Sequence, residues 1–563
     1  MYANQFDAIV IGSGITGGWA AKELTEQGLK VLMLERGRKL EHGKDYVTEH
    51  RPEWTYRFRN KPLRELYDSD YRVHKQLYAF SEKTRHFFNN DRENPYSYKP
   101  GDFLWFRGGT LGGRSLTWGR QVYRWSDLDF EANKRDGYGV DWPIRYRDIE
   151  PWYDHVERFI GVSGEPLGLS HLPDSQFLPP MELNIVEKDF RASLNANYSD
   201  RVVTIGRTAV LTQPHLGRAA CHYCGPCERG CSAGAYFSSL SSTLPAAQAT
   251  GNLTIMTDMV VSSIDYDPTT RRASGVNAIN TKTKLGSRYT AKVIFLCGST
   301  VGSTQILMNS QSASFPNGLA NGSGVLGHYL MDHRLAQGAA GIMTTHQDKV
   351  TYGRRPNGIY IPRFRNVKNQ EDTLNFTRGY GYQGGAIRMG WDTLAKRMPG
   401  FGAEFKHQLR SPGPWILHLN GFGECLPYKT NRMELMHTQP DPYGIPQIKF
   451  HFSWGNNEEA MGEDIIAQAT DMLKTAGAQY TIPFNKDAVG GEGIHEMGTA
   501  RMGRDPQTSV LNQWNQAHEV PNVFVTDGAC MTSSSCVNPS LTYMALTARA
   551  ANYAAKLLKT GQL

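Results

Sequence analysis

At 563 residues the chain exceeds what a single hydrophobic core usually serves, so two or more closely packed domains are expected. With 40% hydrophobic and 20% charged residues it reads as soluble and globular, and its net charge of +7 is spread as single basic residues among acidic ones, which excludes a nucleic-acid surface built on charge. No apolar run approaches the roughly 18 to 20 residues that span a bilayer, and MYANQFDAIVIGSG runs into a strand without the basic and apolar regions of a signal peptide.

The first element is FDAIVIG, a short apolar run with the Ile and Val content of a buried strand, followed at once by Gly12-Ser-Gly14-Ile-Thr-Gly17. GWAAKELTEQG then predicts a helix with Ala20, Ala21 and Leu24 on one face and Gly28 as its stop, and KVLMLE predicts a second strand ending at Glu35. In this order the glycines serve a tight turn, close backbone approach to a pyrophosphate, and close packing of helix on strand. The helix N-terminus offers amides to a diphosphate. Glu35, 23 residues past Gly12, stands where an acid accepts hydrogen bonds from ribose hydroxyls.

CHYCGPCERGC, Cys221 to Cys231, gathers four of the eight cysteines into eleven residues. Disulfides, zinc and iron-sulfur could each use that spacing. The dispersed Cys297, Cys425, Cys530 and Cys536 argue against a disulfide scaffold. Structural zinc usually draws on two ligand pairs separated by a longer loop. The run CxxCxxC followed by CxxxC is similar to the bacterial iron-sulfur pattern, with Ser232 where Pro usually follows and no second motif in the chain.

NLTIMTDMVVSSIDYD and YTAKVIFLCGSTVGSTQIL predict further strands of the first sheet, and Asp441-Pro-Tyr-Gly-Ile-Pro446 with QIKFHFSW predicts a hairpin of a second one. The segment Asn522-Val-Phe-Val-Thr-Asp527-Gly528 is a buried strand ending in Asp-Gly about 500 residues after the first. An acid that closes the sheet from the far end of the chain is natural for a flavin site and hard to explain for a NAD domain. Trp118, Trp415 and Tyr543 are plausible aromatic walls for a sugar.

Together, DAIVIGSGITGGWAA…LERG, RGGTLGGRSLTWG, CGSTVGSTQIL and GIHEMGTARMG…VFVTDGACMTSSSCVNPSLTYMALTARAA resemble the glucose-methanol-choline (GMC) flavoprotein oxidoreductases. GGRSLTW with Trp118 is similar to the branch of pyranose oxidase, gluconate dehydrogenase and glucoside 3-dehydrogenase. The resemblance implies an α/β fold, with a Rossmann-like FAD-binding domain over 1–334 and 486–563 and an antiparallel-sheet substrate domain over 335–485. It implies FAD contacts at Gly12, Gly14, Gly17, Glu35, Arg36, Gly109, Gly112, Gly113, Thr117, Trp118, Val260, Val261, Asp527, Gly528, Asn538, Pro539 and Ser540. Thr117 replaces the His that tethers flavin in pyranose oxidase, so the FAD is expected to be non-covalent.

The catalytic positions of the family fall on His495 in GIHEMGT and Asn538 in VNPSLT. A neutral imidazole suits the carbinol proton while hydride goes to flavin N5, and an adjacent amide suits the alkoxide. The resemblance also implies an iron-sulfur insertion near 215–240, with Cys221, Cys224, Cys227 and Cys231 holding a [3Fe-4S] or [4Fe-4S] cluster. The expected function is oxidation of a secondary hydroxyl of a pyranose or glucoside, C3 favoured, with relay to a cytochrome c or quinone. An oxygen-reducing oxidase with structural zinc and a gluconate 2-dehydrogenase-type large subunit are the alternatives. A small subunit, a cytochrome c-type acceptor and periplasmic export with a signal-bearing partner are expected, with any membrane contact through a partner and the cytoplasm left open.

Overall fold

The computed structural model describes residues 6–57, 63–368, 374–390, 399–486 and 489–563; Met1 to Gln5, the start of the region read for a signal, lie outside the described residues. Strand β1 (Phe6–Ile11), helix α1 (Ile15–Glu26) and strand β2 (Val31–Leu34) follow one another as the sequence predicts. Gly28 adopts φ +84°, a left-handed stop that a side chain would strain.

Five parallel strands form the first sheet, with β1 at its centre. Beside it lie Ala291–Leu296 and then Val523–Val525 on one side, and β2 and then Leu253–Met256 on the other. The sheet is covered on both faces, so its strands read as continuous apolar runs rather than alternating ones. Val523–Val525 joins it from the far end of the chain, as the Asp-Gly segment implied.

The reading of NLTIMTDMVVSSIDYD holds only for its first half. Leu253–Met256 belongs to the parallel sheet, but Met259–Asp267 starts a separate three-stranded antiparallel sheet with Arg272–Asn280 and Gly286–Tyr289. The switch is made at Asp258, in the left-handed region at φ 59°, whose amide donates to the Gly37 carbonyl at 3.0 Å.

The second large sheet has six strands. Gln337–Met343, Ile359–Ile361, Tyr380–Arg388, Trp415–Gly423 and Tyr480–Asn485 are antiparallel to their neighbours, and Thr204–Ile205 adds an edge from outside the 335–485 segment. Helix Asn456–Thr475 covers one face, burying Met461, Ile465, Ala469, Met472 and Leu473 in a cluster with Trp415, Leu417 and Leu419.

The predicted hairpin forms as Arg432–Pro440 and Pro446–His451, but as its own two-stranded sheet. Its Met433, Ile448 and Phe450 pack with Tyr96, Phe103 and Trp105 in the cluster that includes β1 and β2. The hairpin thus rests on the nucleotide-fold side of the molecule, not in the six-stranded sheet.

Candidate active site

A cavity of about 290 Å³ begins at the β1–α1 turn and ends at His495 and Asn538. The three glycines of the turn do different work. A Cβ on Gly17 would sit 1.9 Å from the Gly12 carbonyl oxygen, and one on Gly12, at φ +98°, would sit 2.4 Å from the Cys297 oxygen. Both positions are closed by backbone and fix how near helix and strands approach. A Cβ on Gly14 would meet nothing within 4 Å, because Gly14 faces the cavity.

Gly14 caps α1 without any side-chain hydrogen bond, so the first-turn amides remain available to an anion. Glu35 lines the same end. Its Oε2 accepts from the Ser13 amide at 3.0 Å and hydroxyl at 2.5 Å, and its Oε1 from the Gly37 amide at 2.6 Å. Burial nevertheless raises its pKa. Arg36 also lines the cavity, and burial, with Arg107 nearby, lowers its pKa to about 10.

Gly113, Thr117, Trp118, Val260, Val261, Asp527, Gly528, Asn538 and Ser540 complete the predicted residues that line this space. Gly17, Gly109, Gly112 and Pro539 support it from behind. A Cβ on Gly109 would press on Asn89 at 2.9 Å, the Gly112 amide donates to Ser13 Oγ at 2.9 Å, and Pro539 caps the C-terminal helix Ser540–Lys559. Asp527 holds Ser303 Oγ at 2.5 Å and the Ala529 amide at 3.0 Å, and burial lifts its pKa to about 6.

These features fit FAD. The turn leaves open space over Gly14, the N-termini of α1, Thr300–Asn309 and Ser540–Lys559 all face the cavity without a side-chain cap, and the Tyr543 hydroxyl is buried against it without a hydrogen-bond partner. Trp118 and Tyr543 line the cavity as expected. Trp415 does not: it is 1% exposed, its indole N–H donates to the His346 carbonyl, and period-two alternation places it with Leu417 and Leu419 on the helix-covered face.

At the far end the His495 Nε2 lies 3.2 Å from Asn538 Nδ2. Burial, then His333 and Arg114, hold the His495 pKa well below the usual imidazole value, so the ring is neutral at physiological pH. Four residues here escape the sequence reading. His333, fully buried, places Nδ1 2.9 Å from His495 Nδ1. Gln383 Nε2 donates to Asn538 Oδ1 at 2.5 Å. The Asp332 carboxylate accepts the amides of Gly491, Gly493 and His495 at 2.8 to 3.0 Å, fixing the loop that carries the imidazole. Arg114 forks onto Glu496 at 3.0 and 2.6 Å. Only Arg114 stands in a motif the sequence singled out for cofactor contacts; the others meet the site through tertiary pairing.

Cys221, Cys224, Cys227 and Cys231 line one separate small cavity with Tyr236 and Arg354, and all four thiols are free. Burial raises the pKa of Cys221 and Cys224, and pushes Cys227 up to about 11 against the pull of Arg120. Among the described residues no group of three or more His, Cys, Asp or Glu is drawn together as ligands of a single metal ion. The four cysteines thus share one cavity without forming a preformed ligand set for a metal ion.

Comparison with known proteins agrees with this architecture. GMC oxidoreductase family models match residues 6–335 and 427–547. The 2-methyl-1,2-propanediol dehydrogenase of Mycolicibacterium austroafricanum is 27% identical over 98% of this chain and 95% of its own. The fructose dehydrogenase large subunit of Gluconobacter japonicus is 24% identical over 99% and 98%. Among solved structures, pyridoxine 4-oxidase from Mesorbium loti superposes with a TM-score of 0.60 at 15% identity, over 97% of this chain and 99% of that one. With two family models covering most of the sequence and the nucleotide cradle formed as they require, the chain belongs to the GMC oxidoreductases, FAD-dependent enzymes of alcohol and sugar hydroxyl groups.

Proposed function

We propose that the chain is a sugar dehydrogenase that oxidises a secondary hydroxyl of a pyranose or glucoside, C3 favoured, and passes the electrons through an iron-sulfur cluster on Cys221, Cys224, Cys227 and Cys231 to a cytochrome c-type or quinone acceptor. The carrying observation is that the two cavities share a wall. Thr117 to Arg120 line the larger one, while Tyr236 lines the thiol cavity and donates its hydroxyl to the Leu116 carbonyl at 2.7 Å. Trp118 Nε1 donates to the Phe237 carbonyl at 2.9 Å, and the Arg120 guanidinium lies 5.4 Å from the centre of the Tyr236 ring. One thickness of chain separates a two-electron site from a candidate one-electron site, as a relay requires.

Bound FAD supplies the acceptor for the carbinol hydride. The protein's own part is the proton: an alcohol that loses hydride from carbon must also lose the proton from oxygen, and His495 Nε2 is the base placed to take it. The Asn538 amide donates to the same oxygen as negative charge develops on it. Both curated relatives described above are dehydrogenases, and one is a large subunit, which supports a small partner chain. Export to the periplasm with that partner, and membrane contact through it alone, belong to the same proposal.

The test is an anaerobic visible spectrum before and after methyl glucoside, with iron analysis and product identification. The expected result is four or three irons per chain, according to nuclearity, with flavin and cluster signals both bleached and a 3-keto product. A pure flavin spectrum without iron, with peroxide formed in air as fast as sugar is consumed, would replace the relay by an oxidase. His495→Ala is expected to slow flavin reduction by about 100- to 10,000-fold.

A further inference from the structure

Side-chain contacts at the end of the cavity continue beyond His495 and Asn538 in both directions. Gln383 Nε2 lies 2.5 Å from Asn538 Oδ1, Asn538 Nδ2 lies 3.2 Å from His495 Nε2, His495 Nδ1 lies 2.9 Å from His333 Nδ1, and His333 Nε2 lies 3.2 Å from the Ser534 carbonyl oxygen. The last partner decides all the others. A carbonyl only accepts, so His333 Nε2 carries the hydrogen.

A neutral imidazole with its hydrogen on Nε2 presents a lone pair on Nδ1, so His333 accepts from His495 Nδ1–H. His495 then has its lone pair on Nε2, and that atom accepts from the Asn538 amide nitrogen. Asn538 is thereby left with its oxygen toward Gln383, which donates to it. The opposite orientation of the Asn538 amide would require a hydrogen on His495 Nε2 and, two steps on, an N–H-less His333 Nε2 facing a carbonyl. Burial favours the neutral form of both rings.

We infer that Gln383, Asn538, His495, His333 and the Ser534 carbonyl form one directed hydrogen-bond chain that locks His495 as its Nδ1–H tautomer, with His333 and Gln383 as positioning residues. The inference rests on the reading of His495 as the base. Its consequence is a receptor matched to a hydroxyl: an alcohol oxygen entering between the two can accept an Asn538 Nδ2–H and donate to His495 Nε2, taking over the single Nε2 lone pair that Asn538 engages without substrate. In the other tautomer His495 would present a hydrogen there and could take no proton.

Both ends of the chain are anchored. Ser534 Oγ donates to the Cys425 carbonyl and accepts its amide, each at 3.0 Å, which holds the accepting carbonyl in place. Gln383 stands on Tyr380–Arg388, paired with Asn420 and Tyr360 inside the six-stranded sheet. The substrate-side sheet thus sets the orientation of an amide on the nucleotide-fold side.

The test is nitrogen NMR of the FAD-loaded enzyme with ¹⁵N-histidine, resting and without substrate, His495 being assigned by its loss in His495→Ala. The expected spectrum has a pyridine-type Nε2 and a pyrrole-type Nδ1 on His495; a pyrrole-type Nε2 would overturn the proposal. His333→Leu removes the acceptor and is expected to mix the tautomers and slow anaerobic flavin reduction by methyl glucoside about 10- to 100-fold. His333→Gln, whose amide can accept from His495 and donate to Ser534, is expected to restore most of that rate. Equal rates in the Leu and Gln variants would overturn the proposal, and if the Leu variant does not fold the wild-type spectrum alone decides. A His495→Ala enzyme as fast as wild type would sink the base assignment while leaving the tautomer result to stand by itself.

Discussion

Replacing the turn glycines one at a time separates what holds the fold from what holds the cofactor. Gly14 has φ −66° and nothing within 4 Å of an added Cβ, so Gly14→Ala meets no clash, and the loss of a favoured N-cap residue and the gain from a stiffer unfolded chain, each about 1 kcal/mol or less, roughly offset in the unliganded protein. Gly17→Ala places a methyl 1.9 Å from the Gly12 oxygen, more than 1 Å inside ordinary contact, against backbone that belongs to the tightly packed start of α1. Separating strand from helix enough to admit it costs about 3 kcal/mol or more. With FAD the order reverses. The methyl that Gly14→Ala adds would stand in the open space over the first-turn amides, and displacing the diphosphate from one charge-assisted hydrogen bond costs about 1.5–3 kcal/mol, roughly 10- to 100-fold in affinity. Thermal melting of the apoproteins and FAD titration by fluorescence quenching measure the two effects. Wild-type affinity in Gly14→Ala, or a wild-type melt in Gly17→Ala, would refute the assignment of these glycines.

The remaining expectations are direct. Because burial, His333 and Arg114 depress the His495 pKa, and the nearby Asp332 and Glu496 leave that direction unchanged, the base is already deprotonated near neutrality. Flavin reduction is therefore expected to stay level as pH falls from about 8 to about 6, where an ordinary imidazole would be half protonated near 6.5; a midpoint at that value in stopped-flow rates would contradict the burial argument. With Thr117 in the tether position, acid precipitation is expected to release all the flavin into the supernatant, and yellow colour retained in the pellet would show a covalent link. Cys227→Ser is expected to lose iron and electron delivery to a one-electron acceptor while sugar still bleaches the flavin anaerobically. If iron content is unchanged, the thiols are not its ligands.

The parts legible in the sequence are those written in contiguous residues. Strand, turn, helix and strand from Phe6 to Leu34 are local, and their glycines carry the geometry themselves. Sheet membership is not local. Nothing in TIMTDMVVSS distinguishes one long strand from two strands of different sheets, because the break depends on Asp258 reaching Gly37 and on Met259 donating to the Glu35 carbonyl at 2.9 Å. Trp415 departs from its expected place for a related reason. Aromatic character suggests a wall, but alternation along Trp415–Gly423 and the helix that covers one face decide which side the indole takes. The same alternation puts Tyr380 and Tyr382 in the helix-side cluster and leaves Gln383 on the opposite side, where it meets Asn538.

His333 shows the limit most sharply. It is one of seventeen histidines and lies 162 residues before its partner, with no motif around it. Its significance arises only when three remote segments close on one another: the turn after Met331, the loop held by Asp332, and the Ser533–Ser535 run. Asp332 and His333 are adjacent in sequence and act on His495 from two sides, one holding its backbone amide and the other its ring nitrogen. That pairing ties the position of the base to its protonation pattern, so a shift of this short segment would disturb both together. The GGRSLTWGR stretch combines tasks in the same way, with Thr117 to Arg120 facing the nucleotide cavity while Leu116, Trp118 and Arg120 bond or stack against the residues behind the thiols. A motif legible as a cofactor contact is therefore also the partition between the nucleotide cavity and the cysteine cavity, and under the proposed relay substitutions in it are expected to alter flavin binding and electron transfer together.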